Sequence, residues 1–171
     1  MSHHDPELDE VTPKESGSEI TIRPRGFHIV WGKDTRYWQL PEKGKEEAAE
    51  LKQVCWLEIT GSVDVEAGKT YSIEFEVSMK PDAFGWSGCP VFMMAKVGKK
   101  GKYTWKKITT LDEKRTTTTS SSPFLIPDTS SRLIINPLDN NKLFFGLYEV
   151  WSGKWKGGLL IHKAIIKPIQ K

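Results

Sequence analysis

Tyr71-Ser72-Ile73-Glu74-Phe75-Glu76-Val77-Ser78-Met79-Lys80 is the stretch on which the fold turns. Tyr71, Ile73, Phe75, Val77 and Met79 point one way, while Ser72, Glu74, Glu76, Ser78 and Lys80 point the other. A period of two belongs to a strand. Its split into an apolar and a polar side predicts a sheet with one wet face.

Similar runs lie on both sides of it. Towards the C-terminus, residues 91–97 and 103–108 flank the turn Gly98-Lys99-Lys100-Gly101-Lys102, a β-hairpin pattern. Residues 143–150 and 159–169 are strand-like and close the chain. Towards the N-terminus, Cys55, Leu57 and Ile59 alternate with Trp56, Glu58 and Thr60. Further back, Phe27, Ile29 and Trp31 share one side of a strand over 21–31. A turn at Gly32-Lys33-Asp34-Thr35 follows, and Arg36 to Leu40 resumes an extended course until Pro41.

Residues 44–53 (GKEEAAELKQ) are rich in good helix formers, with Ala48, Leu51 and Lys52 on one face, and predict a helix of two to three turns. The polar run 116–131 is either a functional or mobile loop or conceals a short edge strand at Phe124 to Ile126. Short strands separated by turn signals predict a mostly-β fold. The expected architecture is an antiparallel, jelly-roll-like β-sandwich with at most one short helix near 44–53.

A chain of 171 residues fits one domain. At about 150 folded residues a core buries roughly 68–70% of the unfolded surface, so no covalent staples are required. Residues 1–20 carry Asp5, Glu7, Asp9, Glu10, Glu15 and Glu19 against Lys14, a net −5. The whole chain is +3, which leaves +8 on the rest. We therefore read 1–20 as an acidic disordered leader and 21–171 as a single domain. No signal-peptide pattern opens the sequence, and no apolar run approaches the ~20 residues of a membrane span. Cys55 and Cys89 are too few for a disulfide framework and suit a reducing cytoplasmic or nuclear setting, with Cys55 read as a buried small hydrophobe.

The search for enzymes is largely empty. There is no P-loop, no GxSxG, no dinucleotide fingerprint and no Cys/His spacing of metal type, so neither a cofactor nor a metal is expected. His28 and His162 each stand alone in strands, without the oriented partner a general base needs. A glycosidase needs a pair of carboxylates, and sixteen follow the leader with no spacing that singles out two. The chain is read as a binding protein.

The tryptophans carry the positive case. There are seven, and Trp31, Trp38, Trp151 and Trp155 fall in two pairs beside glycine and charged residues. A pyranose ring lays a face of C–H groups on an aromatic ring while its hydroxyls reach outward. Base stacking on an aromatic side chain is worth about 1–3 kcal/mol, and a puckered sugar should gain less. Carboxylates nearby make the stronger bonds to hydroxyls. Two segments have this composition: Trp31-Gly32-Lys33-Asp34-Thr35-Arg36-Tyr37-Trp38 and Tyr148-Glu149-Val150-Trp151-Ser152-Gly153-Lys154-Trp155-Lys156. Trp56 and Trp105, within strands, are read as core. Trp38, Trp151 and Trp155, in turn-like surroundings, are read as exposed. The same residues could stack bases, and the +8 domain keeps RNA as the competing partner. Against it stands the lack of an RNA-recognition signature or of a Lys/Arg stripe.

These two segments, with Val54-Cys55-Trp56-Leu57-Glu58-Ile59-Thr60-Gly61, Phe145-Gly146-Leu147 and the closing Ile165-Ile166-Lys167-Pro168, strongly resemble the phloem lectin family, also called phloem protein two or the Nictaba-like lectins. The likeness runs from about Ile22 to Ile169 with the motifs in order. It implies a plant β-sandwich that binds N-acetylglucosamine oligomers, such as chitin fragments and the core of N-glycans, without catalysis. It also implies a homodimer, a nucleocytoplasmic or phloem-sap location and, in some relatives, RNA binding. Carried onto this chain, the binding residues are Trp31, Trp38 and Glu149, with Tyr37, Trp151, Lys154 and Trp155 as neighbours. Trp38, with Trp31, is expected to stack on sugar rings. Glu149 would accept from hydroxyls, Lys154 or the backbone would hold the acetamido carbonyl, and Tyr37 or Trp151 would meet its methyl.

Overall fold

The computed structural model describes residues 3–13, 19–108, 122–127 and 132–169. In chain order the first strands are β1 (Val11–Pro13), β2 (Ile20–Ile22), β3 (His28–Ile29), β4 (Trp38–Gln39) and β5 (Ala49–Leu51). Longer strands follow: β6 (Leu57–Val65), β7 (Thr70–Phe84), β8 (Val91–Val97) and β9 (Thr104–Ile108). The chain ends with β10 (Phe124–Ile126), β11 (Leu133–Ile135), β12 (Asn141–Glu149) and β13 (Gly157–Ile169). Two antiparallel sheets pack face to face, the expected sandwich. One has the order β3-β6-β12-β8-β9. In the other, β13 and β7 form the middle, with β1-β2 and β4-β5 beyond β13 and with β10 and β11 beyond β7.

The inward residues of both sheets are the core. Phe75 of β7 and Phe145 of β12 meet across it at 5.9 Å, and Phe27 lies 5.6 Å from Phe75 and 6.4 Å from Phe145. Tyr71, Ile73, Phe75, Val77 and Met79 are all buried, as their alternation requires. The opposite side of β7 is drier than the alternation predicts. Ser72 and Ser78 are fully buried and Glu74 nearly so. The cause is position: β7 is flanked on both edges, and side chains from β13 lean across it. Lys167 pairs with Glu74 at 3.1 Å, and His162 meets Ser78 Oγ at 2.8 Å.

The helix expected at 44–53 does not form, and among the described residues there is no α-helix. Gly44 turns the chain, and β5 then pairs with β13, Leu51 opposite Leu159 and Ala49 opposite Ile161. Ala49 and Leu51 are fully buried, while Glu50 faces out to Lys80 at 3.0 Å. An isolated helix of two to three turns is marginal in water. Sheet pairing that buries two apolar side chains outweighs its propensity.

The leader also differs from expectation over residues 3–13. His4 exchanges backbone hydrogen bonds of 2.9 Å with Ile29 and is buried, its Nδ1 bonded to Phe27 O at 3.0 Å. Buried Glu10 pairs with Arg23 at 2.8 Å and accepts the Gly44 N–H at 2.9 Å. Glu7 takes Arg25 at 3.1 Å, Lys43 lies 3.0 Å from Asp9, and β1 pairs with β2. Within residues 3–13, Glu7, Asp9 and Glu10 are counter-ions to specific basic residues of the domain. The strand at Phe124 to Ile126 is present as β10 against β7, and the rest of 116–131 outside 122–127 lies beyond the described residues.

Candidate functional site: an aromatic cleft at one end of the sandwich

Three connections meet where β6 begins and β12 ends: residues 30–37 before β4, 52–56 before β6 and 150–156 before β13. Their backbones are stitched together. Lys52 N–H donates to Tyr37 O at 2.8 Å, and Val54 and Lys156 exchange bonds of 2.9 Å. Lys52 Nζ adds a bond of 2.9 Å to Thr35 O. Close approach is possible because two glycines supply it. A Cβ on Gly85, whose φ is +84°, would stand 2.0 Å from Trp155 O, and one on Gly157 would stand 2.0 Å from Lys52 O.

The stitched segments present aromatic rings around a cleft of about 100 Å³ lined by Trp31, Tyr37, Val54, Cys55, Trp56 and Trp155. Tyr37 stacks on Trp155 with centroids 6.2 Å apart and planes 29° apart, and Trp31 meets Tyr37 edge-on at 5.8 Å. Trp155 is 50% exposed, Trp56 46% and Trp31 40%. Trp31 sits in the left-handed region at φ 65°, a conformation unfavourable for a bulky residue. Its N–H donates to His3 Nδ1 at 3.0 Å and the His3 ring packs against it at 5.6 Å, so the N-terminal segment helps hold it. Arg36 lies 5.1 Å over the Tyr37 ring and grips Asp34 through Nε (3.0 Å) and Nη2 (2.7 Å), which holds the Asp34 carboxyl below its ordinary range.

Beneath the cleft lies a buried ion pair. Glu149 and Lys156 are 2.8 Å apart, both fully buried. Glu149 Oε2 accepts the N–H groups of Trp151 and Ser152 at 3.1 Å each, and the Ser152 hydroxyl donates to Oε1. Lys156 Nζ also donates to Lys154 O at 2.9 Å and Cys55 O at 3.3 Å. Burial opposes ionisation of Glu149. The Lys156 ammonium and the Ser152 hydroxyl and N–H outweigh it and hold the carboxyl below its ordinary range. The pair thus ties residues 149–156 to Cys55.

A family model described as Phloem protein 2 matches residues 17–168. The chain belongs to the phloem protein 2 family. It is 46% identical over 177 aligned positions to the protein Phloem protein 2-like A9 of Arabidopsis thaliana, across 98% of this chain and 97% of that one. Phloem protein 2-like A1 of the same plant is 29% identical over 85% of this chain and 60% of its own length. A protein named Lectin from Luffa acutangula is 39% identical over 69 positions, 36% of this chain and 33% of that protein.

In this phloem protein 2 chain the seven residues singled out from the sequence do not converge on one place. Trp31, Tyr37 and Trp155 line the cleft. Trp38 does not: it is 2% exposed and packs in the core, because β4 pairs with β5 and turns Trp38 inward opposite Leu51. Nor can Glu149 meet a hydroxyl, since its oxygens are buried and occupied by Lys156, Ser152 and Trp151. Trp151 is exposed elsewhere, edge-on to Phe92 at 5.2 Å, and Lys154 Nζ lies beside Gly88.

Two lining residues stand where the sequence predicts core. Trp56 and Cys55 border the cleft, with Trp56 Nε1 donating to Glu58 Oε1 at 3.1 Å and Cys55 half-buried. The alternation that sends Leu57 and Ile59 inward already placed Trp56 on the outer side with Glu58 and Thr60. Trp105, likewise read as core, is 59% exposed. His162 has a partner after all, but Ser78 is fully buried, so no substrate reaches its hydroxyl; burial also lowers the His162 pKa. Among the described residues no group of His, Cys, Asp or Glu is placed to hold a metal, and no helix is long and apolar enough to cross a membrane.

Proposed function

We propose that the chain is a carbohydrate-binding lectin whose cleft takes N-acetylglucosamine oligomers, either chitin fragments or the core of N-glycans. The observation that carries this is the ring set itself: Trp31, Tyr37, Trp56 and Trp155 surround one opening, three of them close to half exposed. Trp155 and Trp56 offer faces to the C–H side of a pyranose ring, in place of the buried Trp38. Glu58 accepts the Trp56 Nε1–H at 3.1 Å and so fixes that ring at the rim of the cleft. Lys156 and Glu149 act beneath the surface by positioning residues 150–156. A family relative in Luffa acutangula carries the name lectin, which agrees with this reading.

Binding occurs without catalysis and needs neither metal nor cofactor. The setting that accompanies it is the plant cytoplasm, nucleus or phloem sap. Homodimerisation through a sheet edge, such as that of β9, which pairs with β8 alone among the described residues, completes the proposal.

Calorimetric titration with an N-acetylglucosamine trimer at low and high salt tests the reading. Saturable micromolar binding, about −8 kcal/mol, with no response to salt is expected. RNA behaves differently, because phosphate contacts weaken steeply as salt rises. A folded protein that takes RNA in this manner and ignores the trimer would replace the lectin reading.

A further inference from the structure

A second concavity, about 390 Å³, lies on the outer face of the five-stranded sheet. Its floor is set by strand parity. Glu58 of β6 and Phe144 and Tyr148 of β12 all face away from the core, and β12 pairs with β6 along its whole length. Tyr103, Lys96 and Lys99, from the hairpin that joins β8 to β9, form the wall.

The chemistry of this groove differs from that of the cleft. Lys96 Nζ stands 4.8 Å from the Tyr103 ring centre and 5.9 Å from that of Phe144, and donates to Lys99 O at 3.0 Å. Among the described residues no carboxylate lies within ion-pair distance of Lys96 or Lys99. The sequence explains why. No Asp or Glu occurs between residues 83 and 111, while Lys96, Lys99, Lys100, Lys102, Lys106 and Lys107 crowd the hairpin. The floor supplies neutral polar groups. The Tyr103 and Tyr148 phenols both border the groove, and burial, with Tyr103 and Glu58 alongside, raises the Tyr148 pKa, so that phenol stays protonated. One oxygen of Glu58 takes Trp56 Nε1, and the other is available to a hydroxyl.

Ammonium groups that no carboxylate pairs among the described residues call for an anion, and their field gathers one from solution. Phenols, ring faces and a carboxylate on the floor call for hydroxyls on a puckered ring. A phosphodiester chain offers Glu58 and the phenols few hydroxyls, and a neutral sugar leaves the lysines unused. We propose that this groove is a second saccharide-binding site, specific for oligosaccharides that bear carboxylates, with uronate groups on Lys96 and Lys99 and ring hydroxyls on Tyr103, Tyr148 and Glu58. It stands apart from the cleft reading and does not depend on it.

The test titrates the full chain with a galacturonate trimer, the uncharged galactose trimer and a single-stranded RNA oligomer at equal ionic strength. Wild type is expected to bind the uronate trimer, to weaken as salt rises, and to give no heat with the galactose trimer. The double variant Lys96→Gln/Lys99→Gln keeps its thermal midpoint and loses at least tenfold in uronate affinity. Tyr103→Phe loses severalfold. The proposal is overturned if the uronate trimer does not bind, if the double variant binds it as wild type does, or if RNA binds more tightly at this wall. The N-acetylglucosamine trimer reports on the cleft separately, since neither substitution touches Trp155 or Tyr37.

Discussion

Glu149→Gln should lower the stability of the fold by about 3–5 kcal/mol, the cost of leaving one partner of a buried ion pair behind. Lys156 is fully buried and has no second counter-ion among the described residues. Once the carboxylate is gone, the carbonyls of Lys154 and Cys55 remain as its acceptors. In a domain of this size the thermal midpoint should fall by roughly 10 °C. Removing both charges should be far milder, so Glu149→Gln/Lys156→Met is expected to regain most of the loss by denaturant unfolding. If the single variant is as stable as wild type, the pair does not hold the loop.

Its pH dependence has a definite sign. The native Glu149 carboxyl titrates below its unfolded value, so its contribution is complete above an unfolded pKa of about 4.3 and disappears as pH falls through the lower native value. Wild type should lose stability steeply with acid in that window. Glu149→Gln should show a shallower decline.

Trp38→Ala should cost about 3–5 kcal/mol, as expected for emptying a core site of an indole. The side chain is 2% exposed, packed where β4 meets β5, and its Nε1 has no hydrogen-bond partner among the described residues. Trp38→Phe keeps most of the ring and removes an unsatisfied donor, so it should cost less than half as much. Affinity for the N-acetylglucosamine trimer should survive in Trp38→Phe. A loss of binding there at full stability would return Trp38 to the sugar site.

Much of this architecture is legible in the sequence because alternation over long strands leaves little choice. The ten residues from Tyr71 to Lys80 place their apolar set as read, and the hairpin from Val91 to Ile108 follows from its Gly-Lys turn. Local composition misleads where a tertiary partner decides. The stretch from Gly44 to Gln53 has helical residues, yet the edge of β13 recruits Ala49 and Leu51 into a strand. The acids near the N-terminus look like a solvated tail until Arg23, Arg25 and Lys43 are seen beside them. In the site, turn-like surroundings mark Trp151 and Trp155 as exposed, and both are about half exposed. The same argument fails for Trp38, since one residue of register separates the cleft from the core. The family resemblance points to Glu149 as a sugar acceptor, whereas its burial depends on a tertiary contact with Lys156 across the loop.

The most direct test of the aromatic cleft as the sugar site is to titrate Trp155→Ala and Trp151→Ala side by side with the N-acetylglucosamine trimer. Both side chains are about half exposed and lie four residues apart, so stability should change little in either. Trp155 lines the cleft against Tyr37, whereas Trp151 packs on Phe92 away from it. Trp155→Ala should weaken binding about tenfold, near 1.4 kcal/mol, and Trp151→Ala should bind as wild type. The reverse pattern, full affinity without Trp155 and a loss without Trp151, would contradict the account and move the sugar to the other side of the loop.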